Sequence, residues 1–304
     1  MEDSFHKPVL LQEVIEILDL HEGDLYFDAT LGEGGHALEV FRRMGQKVVL
    51  AGIDADPRAV ETSRNRLEAE GAKPKFATLN FRKITEALKV LEIERPTKIL
   101  FDLGWNKSQF EDGGKGFSFQ KDEPLIMTFG ESAERGFNTS DIVNTWDQEN
   151  IATILDAYGE EKFAWKISQK IVEARAVKPI KTSGELAEIV KSAVPIWYRF
   201  KKIHPATKTF QALRIAVNDE LQALEEGLKG AIEILQEGGR VVVVSFHSLE
   251  DRIVKRFFKL LDTEGKVKIL NKKPIVASEQ EISENPRSRS AKLRVVMKLK
   301  DENK

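Results

Sequence analysis

Apolar residues along this chain fall into two rhythms. Leu25 to Ala29, Val48 to Ile53, Lys75 to Leu79 and Lys98 to Phe101 are short apolar runs, the pattern of strands covered on both faces. Between them lie stretches of helical period, one opening at Gly35 and one running from Asp56-Pro57 to Gly71. An aspartate N-cap with proline at the first helical position is a strong start signal, and glycine suits the residue after a helix. Strand and helix in alternation predict a parallel sheet with right-handed crossovers. After Asp102 the rhythm changes. A glycine-rich stretch from Gly113 to Phe119 leads into a long region of helical period with almost no strand signal. Helices are predicted over 151–158, 160–176 and 183–194, separated by Gly159, Lys178-Pro179 and Pro195. A longer helix is predicted from Phe210 to Gln236, stopped by Gly238-Gly239, and Arg240 to Phe246 then reads as a buried strand. Lys266 to Leu270 and Leu293 to Leu299 read as closing strands on antiparallel edges. The expected organisation is a discontinuous α/β domain, residues 1–106 and 207–304, with an all-helical domain over 107–206 set into it.

Composition narrows the class. Of 304 residues 41% are hydrophobic, enough for a real core. There are 47 Lys and Arg against 49 Asp and Glu, a net charge of -2, so any nucleic-acid surface must be a local patch. The absence of cysteine excludes disulfides, cysteine-ligated zinc, iron–sulfur clusters and thiol nucleophiles together. The same absence bars any reaction that proceeds through a covalent thiolate adduct. The amino terminus has no basic segment followed by an apolar one, and no apolar run is long enough to span a bilayer, so a cytoplasmic protein with no membrane partner is expected.

The candidate chemistry sits at strand ends. In Leu25-Tyr-Phe-Asp28-Ala-Thr-Leu-Gly32-Glu-Gly34-Gly35-His36 a buried strand ends in an acid and a glycine-rich turn that brings helix amides close to a ligand. Asp54 ends the next strand, placed to accept hydrogen bonds from both hydroxyls of a ribose. Gly32-x-Gly34-x-x-Ala37 also satisfies the relaxed dinucleotide fingerprint, which keeps nicotinamide cofactors open. Asp28 leans toward S-adenosylmethionine, since a carboxylate before the turn attracts an ammonium and repels a pyrophosphate. Asp102 ends the fourth strand, where it could contact the cofactor's amino-acid end, contact the acceptor group, or simply cap the turn. Phe81, after the third strand, could flank an adenine or belong to the core. Ser245 to His247 fall at the same edge, outside the carboxyl ends where open α/β sheets bind ligands. His36, His204 and His247 share no ligand spacing such as His-Glu-x-x-His, so no metal is expected. Ser245-Phe-His-Ser248 lacks the glycines of a nucleophile elbow.

Basic residues cluster from Arg199 to Lys208, from Arg252 to Lys259 and from Pro286 to Arg294, the first beside Trp197, Tyr198 and Phe200. Cations position phosphates and aromatics stack on unpaired bases, so Arg199, Lys201, Lys202, His204, Lys208, Arg287 and Arg289 are candidate RNA contacts. A merely solvated basic surface is the alternative.

Seven segments then carry a wider likeness: His6-Lys-Pro-Val-Leu-Leu11, Asp28 to His36, Gly116-Phe-Ser-Phe119, Tyr158-Gly-Glu-Glu161-Lys-Phe-Ala164, His204 to Glu220, Ser245 to Arg252 and Asn285 to Arg294. In this order they resemble the RsmH (MraW) family, S-adenosylmethionine-dependent methyltransferases of N4 of cytosine 1402 (rRNA numbering) in bacterial 16S ribosomal RNA. The resemblance implies a class I, Rossmann-like methyltransferase sheet with an inserted helical domain, and the small ribosomal subunit as partner. It also implies cofactor contacts from Gly34, Gly35, His36, Asp54, Phe81, Asp102 and Gln109. In-line attack of N4 on the sulfonium methyl is the expected reaction, with the cytosine drawn from its stack and Asp102 the candidate to orient the amine and receive its proton. Two stretches depart from the family. Asp102-Leu-Gly-Trp-Asn-Lys-Ser-Gln109 stands where Asp-Leu-Gly-Val-Ser-Ser-Pro-Gln is usual, and Pro124-Leu-Ile-Met-Thr-Phe-Gly130 where Pro-Leu-Asp-Met-Arg-Met-Asp is usual. Ile126, Thr128 and Gly130 thus replace three charged residues, and Lys208 replaces an arginine. These departures leave an alternative open, a catalytically weakened rRNA-binding assembly factor that keeps the cofactor pocket.

Overall fold

Each apolar run becomes a strand because a segment apolar on both faces is stable only inside a sheet covered on both sides. The structure, a computed structural model, describes residues 7–103, 114–129 and 135–300. The chain forms two compact units, one from residues 1–106 and 221–304, the other from 107–220. The first unit opens with α1 (Leu11–Leu18), β1 (Leu25–Asp28), α2 (Gly35–Met44), β2 (Val49–Asp54), α3 (Pro57–Ala69), β3 (Lys75–Thr78), α4 (Ile84–Val90) and β4 (Lys98–Asp102). The second holds α5 (Thr139–Thr145), α6 (Gln148–Gly159), α7 (Ala164–Val177), α8 (Ser183–Ala193), the short α9 (Ile196–Arg199) and α10 (Thr207–Asn218). The first unit then resumes with α11 (Glu220–Ile234), β5 (Arg240–Ser245), α12 (Ser248–Thr263), β6 (Val267–Ile269), α13 (Glu279–Glu284) and β7 (Lys292–Lys298).

Among the described residues the strands make one seven-stranded sheet in the order β3-β2-β1-β4-β5-β7-β6. The first five are parallel, whereas β7 runs antiparallel to both β5 and β6. Since β2 and β4 flank β1 on opposite sides, the strand order reverses there, which is where doubly wound sheets open a ligand crevice. Register brings the acids to one edge: Asp28 pairs with Gly52 and Leu100, Asp54 with Thr78, and Asp102 with Val244.

Alternation within strands builds two cores. Tyr26, Leu50, Val242 and Val244 face the layer of α1, α2 and α3, where Val14, Leu18, Leu38, Val60 and Leu67 are buried. Leu25, Phe27, Ile99, Phe101, Val241 and Val243 face α4, α11 and α12, against Ile84, Leu224, Leu228, Val254 and Phe258. Each such side chain contributes on the order of 1.5–3 kcal/mol of burial free energy, which makes the sheet a rigid base for its carboxyl edge.

Three expectations need correction. The helix predicted from Phe210 to Gln236 is two helices, α10 and α11, broken at Asp219, whose φ of 51° leaves the helical region. Arg135 pairs with the Asp219 carboxylate at 2.8 Å, and the Arg214 guanidinium grips Glu220 through two bonds of 2.7 and 2.8 Å, fixing the break. The second boundary accordingly falls after Glu220 and not after 206. There α10 packs on α6 so closely that a Cβ on Gly159 would lie 2.8 Å from the Lys208 carbonyl oxygen. Finally, β7 is no edge strand: it lies between β5 and β6 with Leu293, Val295 and Val296 buried, and only the three-residue β6 closes the sheet.

Candidate active site

Past Asp28 the chain turns on glycine. Gly32 (φ 52°) and Gly34 (φ 73°) hold left-handed backbone that a side chain would strain. The Gly32 N–H donates to Asp54 Oδ2 at 2.9 Å, and its carbonyl accepts from Ser63 Oγ at 2.7 Å. Gly34 is the N-cap of α2 and brings no side-chain acceptor to the first-turn amides, the groups that favour a polar or anionic ligand atom. Gly35 is glycine for another reason, because a Cβ there would lie 2.4 Å from Pro8 Cγ.

The three strand-end acids differ. Asp54 is half-buried, and its Oδ1 accepts the Asp56 N–H at 2.9 Å, so both oxygens hold amides and, as a carboxylate, it keeps acceptor capacity for hydroxyls. Burial raises its pKa to about 6 against the pull of those amides. Asp28 is only 2% exposed and its oxygens are engaged by Tyr26 Oη at 2.9 Å and the Thr30 N–H at 3.1 Å. Burial lifts it too to about 6, opposed by His36 and these hydrogen bonds. Asp102 is partly exposed, and its N–H donates to Thr30 Oγ1 at 2.7 Å.

His36 links these groups. Its Nε2 lies 3.2 Å from the Val9 carbonyl, and a carbonyl only accepts, so Nε2 carries the hydrogen. Burial lowers the pKa of this ring, which favours neutral imidazole and leaves the Nδ1 lone pair facing Asp102 Oδ2 at 3.5 Å. Phe81, in a short 3-10 turn, is half-buried, edge-on to Phe101 at 5.8 Å; Gly227 makes room for it, since a Cβ there would meet Phe81 Cδ2 at 2.8 Å. Gln109 lies outside the described residues, as do Trp105 to Lys107 and Gly130. Thr128, where the family carries arginine, is buried.

A strap over the glycine turn escapes local sequence reasoning. Between residues 7 and 10, the Lys7 carbonyl accepts from Asn285 Nδ2 at 3.1 Å, Lys7 Nζ pairs with Glu284, and the Leu10 N–H donates to Glu281 Oε1 at 2.7 Å. With Pro8 against Gly35 and the Val9 carbonyl on His36, the strap holds the turn from outside. Its partners lie more than 270 positions away, so no local pattern signals them. The segment from Ser245 to Arg252 also takes part in building the fold. His247 and Glu250 form the capping box of α12, and Asp251 receives Arg294 Nε at 2.6 Å and Lys292 Nζ at 3.1 Å, tying α12 to β7.

The candidate RNA residues divide similarly. Arg199 donates to the Val194 and Ser192 carbonyls at 3.1 and 3.2 Å, closing the end of α8, and Lys208 Nζ donates to the Glu160 carbonyl at 2.7 Å after α6. His204 stacks on Phe119 at 4.4 Å while its Nδ1 accepts the Ala206 N–H. Lys201, Lys202, Arg287 and Arg289 are exposed. No helix among the described residues is long and apolar enough to cross a membrane.

The chain is also similar to known proteins. The chain is 42% identical over 309 residues to a ribosomal RNA small subunit methyltransferase H of Symbiobacterium thermophilum, covering 97% of this chain and 96% of that protein. A protein of the same name from Clostridioides difficile is 41% identical over 309 residues, covering 97% and 99%. Among solved structures, one described as a putative rRNA-methylase from Clostridium thermocellum aligns with 97% of this chain and 99% of its own at TM-score 0.46 and 12% identity. The model of the MraW methylase family matches residues 3–299, and the chain belongs to that family.

Proposed function

We propose that this protein is an S-adenosylmethionine-dependent methyltransferase that modifies N4 of cytosine 1402 (rRNA numbering) in 16S ribosomal RNA of the small subunit. What carries the proposal is the meeting of the Gly32–His36 turn, Asp54 and Asp102 at the carboxyl edge of a class I, Rossmann-like sheet, in a chain 42% identical to a protein named for small-subunit rRNA methylation.

The residues suit the cofactor. Asp54 keeps acceptor capacity for ribose hydroxyls, the uncapped start of α2 offers amides at Gly35 and His36 while the Gly34 N–H is held by the Leu31 carbonyl at 2.8 Å, and half-buried Phe81 stands beside Asp54's strand to flank an adenine. Asp28 and Asp102 give the crevice negative charge that favours a sulfonium and an ammonium over a pyrophosphate, which argues against a nicotinamide dinucleotide. Bound S-adenosylmethionine supplies an electrophilic methyl group. The exocyclic amine of cytosine is a weak nucleophile because its lone pair is delocalised into the ring, so orientation does much of the work. Asp102 accepts a hydrogen bond from that amine and takes its proton as the nitrogen is alkylated. His36 Nδ1, 3.5 Å away with its lone pair turned to Asp102, shares that proton without a change of tautomer. Lys201, Lys202, Arg287 and Arg289 are the exposed cations left to meet RNA phosphates.

Incubation with small ribosomal subunits lacking the modification and methyl-labelled S-adenosylmethionine tests this. Label in 16S RNA is expected. Cofactor binding without transfer would instead favour the assembly-factor alternative, and calorimetric binding of NAD in place of S-adenosylmethionine would overturn both.

A further inference from the structure

The helical unit carries an exposed aromatic surface that neither the cofactor site nor its own core uses. It forms around Trp197 and Phe200, with buried Tyr198 of α9 beneath them. Tyr198 is the anchor: its hydroxyl donates to Glu161 Oε2 at 2.7 Å, and Glu161, fully buried, also accepts the Phe163 N–H at 3.0 Å. A buried carboxylate holding two donors fixes α9 against the start of α7, so the surface above it is set in place before any ligand arrives. On that base Trp197 stays 55% exposed, and Phe200, at the end of α9, is 84% exposed. Single exposed apolar residues are ordinary, but two large aromatics three positions apart on a pinned turn are not explained by solubility.

The charges around them are unusual as well. Lys162 Nζ sits 4.7 Å from the Trp197 ring centroid and 5.6 Å from that of Tyr198, and Lys201 Nζ sits 5.2 and 5.0 Å from the same two. Two ammonium groups gathered over adjacent rings repel each other, and neither has a carboxylate partner among the described residues. Phe200 has no cation over its ring among those residues. An apolar protein partner would have to desolvate both lysines without compensation. A duplex hides the faces of its bases. A single strand matches every feature, with phosphates for the paired ammoniums and open bases for the aromatic faces.

We propose that Lys162, Trp197, Phe200 and Lys201 form a stacking platform for unpaired RNA. The platform rests on the proposed function only for the identity of that RNA. Its binding mode follows from the aromatic and cationic arrangement alone, and it deepens the basic segment from Arg199 to Lys208 by separating residues that face a ligand from those that close helices.

Full-length protein titrated with a labelled oligouridylate and with an RNA duplex of equal length tests the proposal. The wild type should prefer the single strand, and Phe200→Ala should weaken that binding by roughly five- to 150-fold, the range for one lost base stack. Lys162→Ala with Lys201→Ala should flatten the salt slope by about 1.4, two phosphates on a single strand. Phe200 is so exposed that its removal leaves folding and S-adenosylmethionine affinity unchanged. Equal affinity of wild type and Trp197→Ala/Phe200→Ala for the oligouridylate would overturn the platform, and so would a wild-type dimer that Phe200→Ala dissociates, which would assign the surface to a second copy. Platform-dependent binding in a protein that methylates no small-subunit RNA would support the platform and refute the proposed function.

Discussion

Replacing Gly35 by alanine tests whether the strap positions the cofactor turn. The new Cβ would lie 2.4 Å from Pro8 Cγ, where ordinary contact begins at 3.4 Å, so about 1 Å of separation must be created. Pro8 is a rigid ring in a segment pinned on both sides, by Asn285 on the Lys7 carbonyl and Glu281 on the Leu10 N–H. Overpacking of this kind costs about 1–3 kcal/mol, against which the helix propensity of alanine over glycine returns at most about 1 kcal/mol. The steric effect therefore wins at any but the lowest estimate. Relief by moving the strap would draw the Val9 carbonyl from His36, and misplacement of about 1 Å is enough to lower binding or transfer on the order of a hundredfold. The companion is Pro8→Ala, which deletes Cγ and leaves Cβ at 3.5 Å from the alanine introduced at position 35. Urea unfolding and calorimetric titration with S-adenosylmethionine, run on both single variants and the double, make a complete cycle. The double variant should recover about 1–2 kcal/mol relative to the sum of the single effects. Strict additivity, or a Gly35→Ala protein as stable and as tight as wild type, would refute the strap as a positioning element.

Asp28 and Asp54 both titrate near 6, and ligand cations and hydroxyls prefer them ionised. Affinity for S-adenosylmethionine is thus full above pH 7 and should be about ten- to hundredfold weaker at pH 5; a flat calorimetric profile between these values would contradict it. Asp102→Ala should abolish methyl transfer with the unfolding midpoint nearly unchanged, and near-normal turnover would remove Asp102 from the chemistry. Arg294→Met strips the guanidinium from buried Asp251 and should cost about 3 kcal/mol in urea unfolding. Burial opposes ionisation of Asp251, yet Arg294 and Lys292 hold its pKa below the usual carboxylate range. That stabilisation is therefore present above pH 4 and lost only as pH falls through the depressed value, so the variant's deficit should shrink in acid.

The parts of the fold legible in advance were those encoded within a few residues. Buried runs marked β1 to β5, and Asp56-Pro57 and Gly71 marked α3, whose N-cap is indeed Asp56. The break at Asp219 was illegible because an aspartate took the left-handed conformation usually given to glycine, held by Arg135 from far along the chain. The inner place of β7 was equally hidden, since a strand covered by the short β6 carries the same local pattern as an edge. At the site, Asp54 and Asp102 were legible from position at strand ends. The burial of Asp28 was not, because it depends on Tyr26 and Thr30 folding around the carboxylate. Counting basic residues could not show that Arg199 and Lys208 donate to helix-end carbonyls, because those partners are set by the fold.

The central claim, that this carboxyl edge delivers a methyl group to one cytosine amine, is tested most directly by mass mapping of 16S RNA from cells with and without the protein. A mass increase of one methyl on cytosine 1402, at N4 and dependent on Asp102, is the predicted result. Unchanged modification of that nucleotide in its absence, or methyl placed on a different base, would contradict the account.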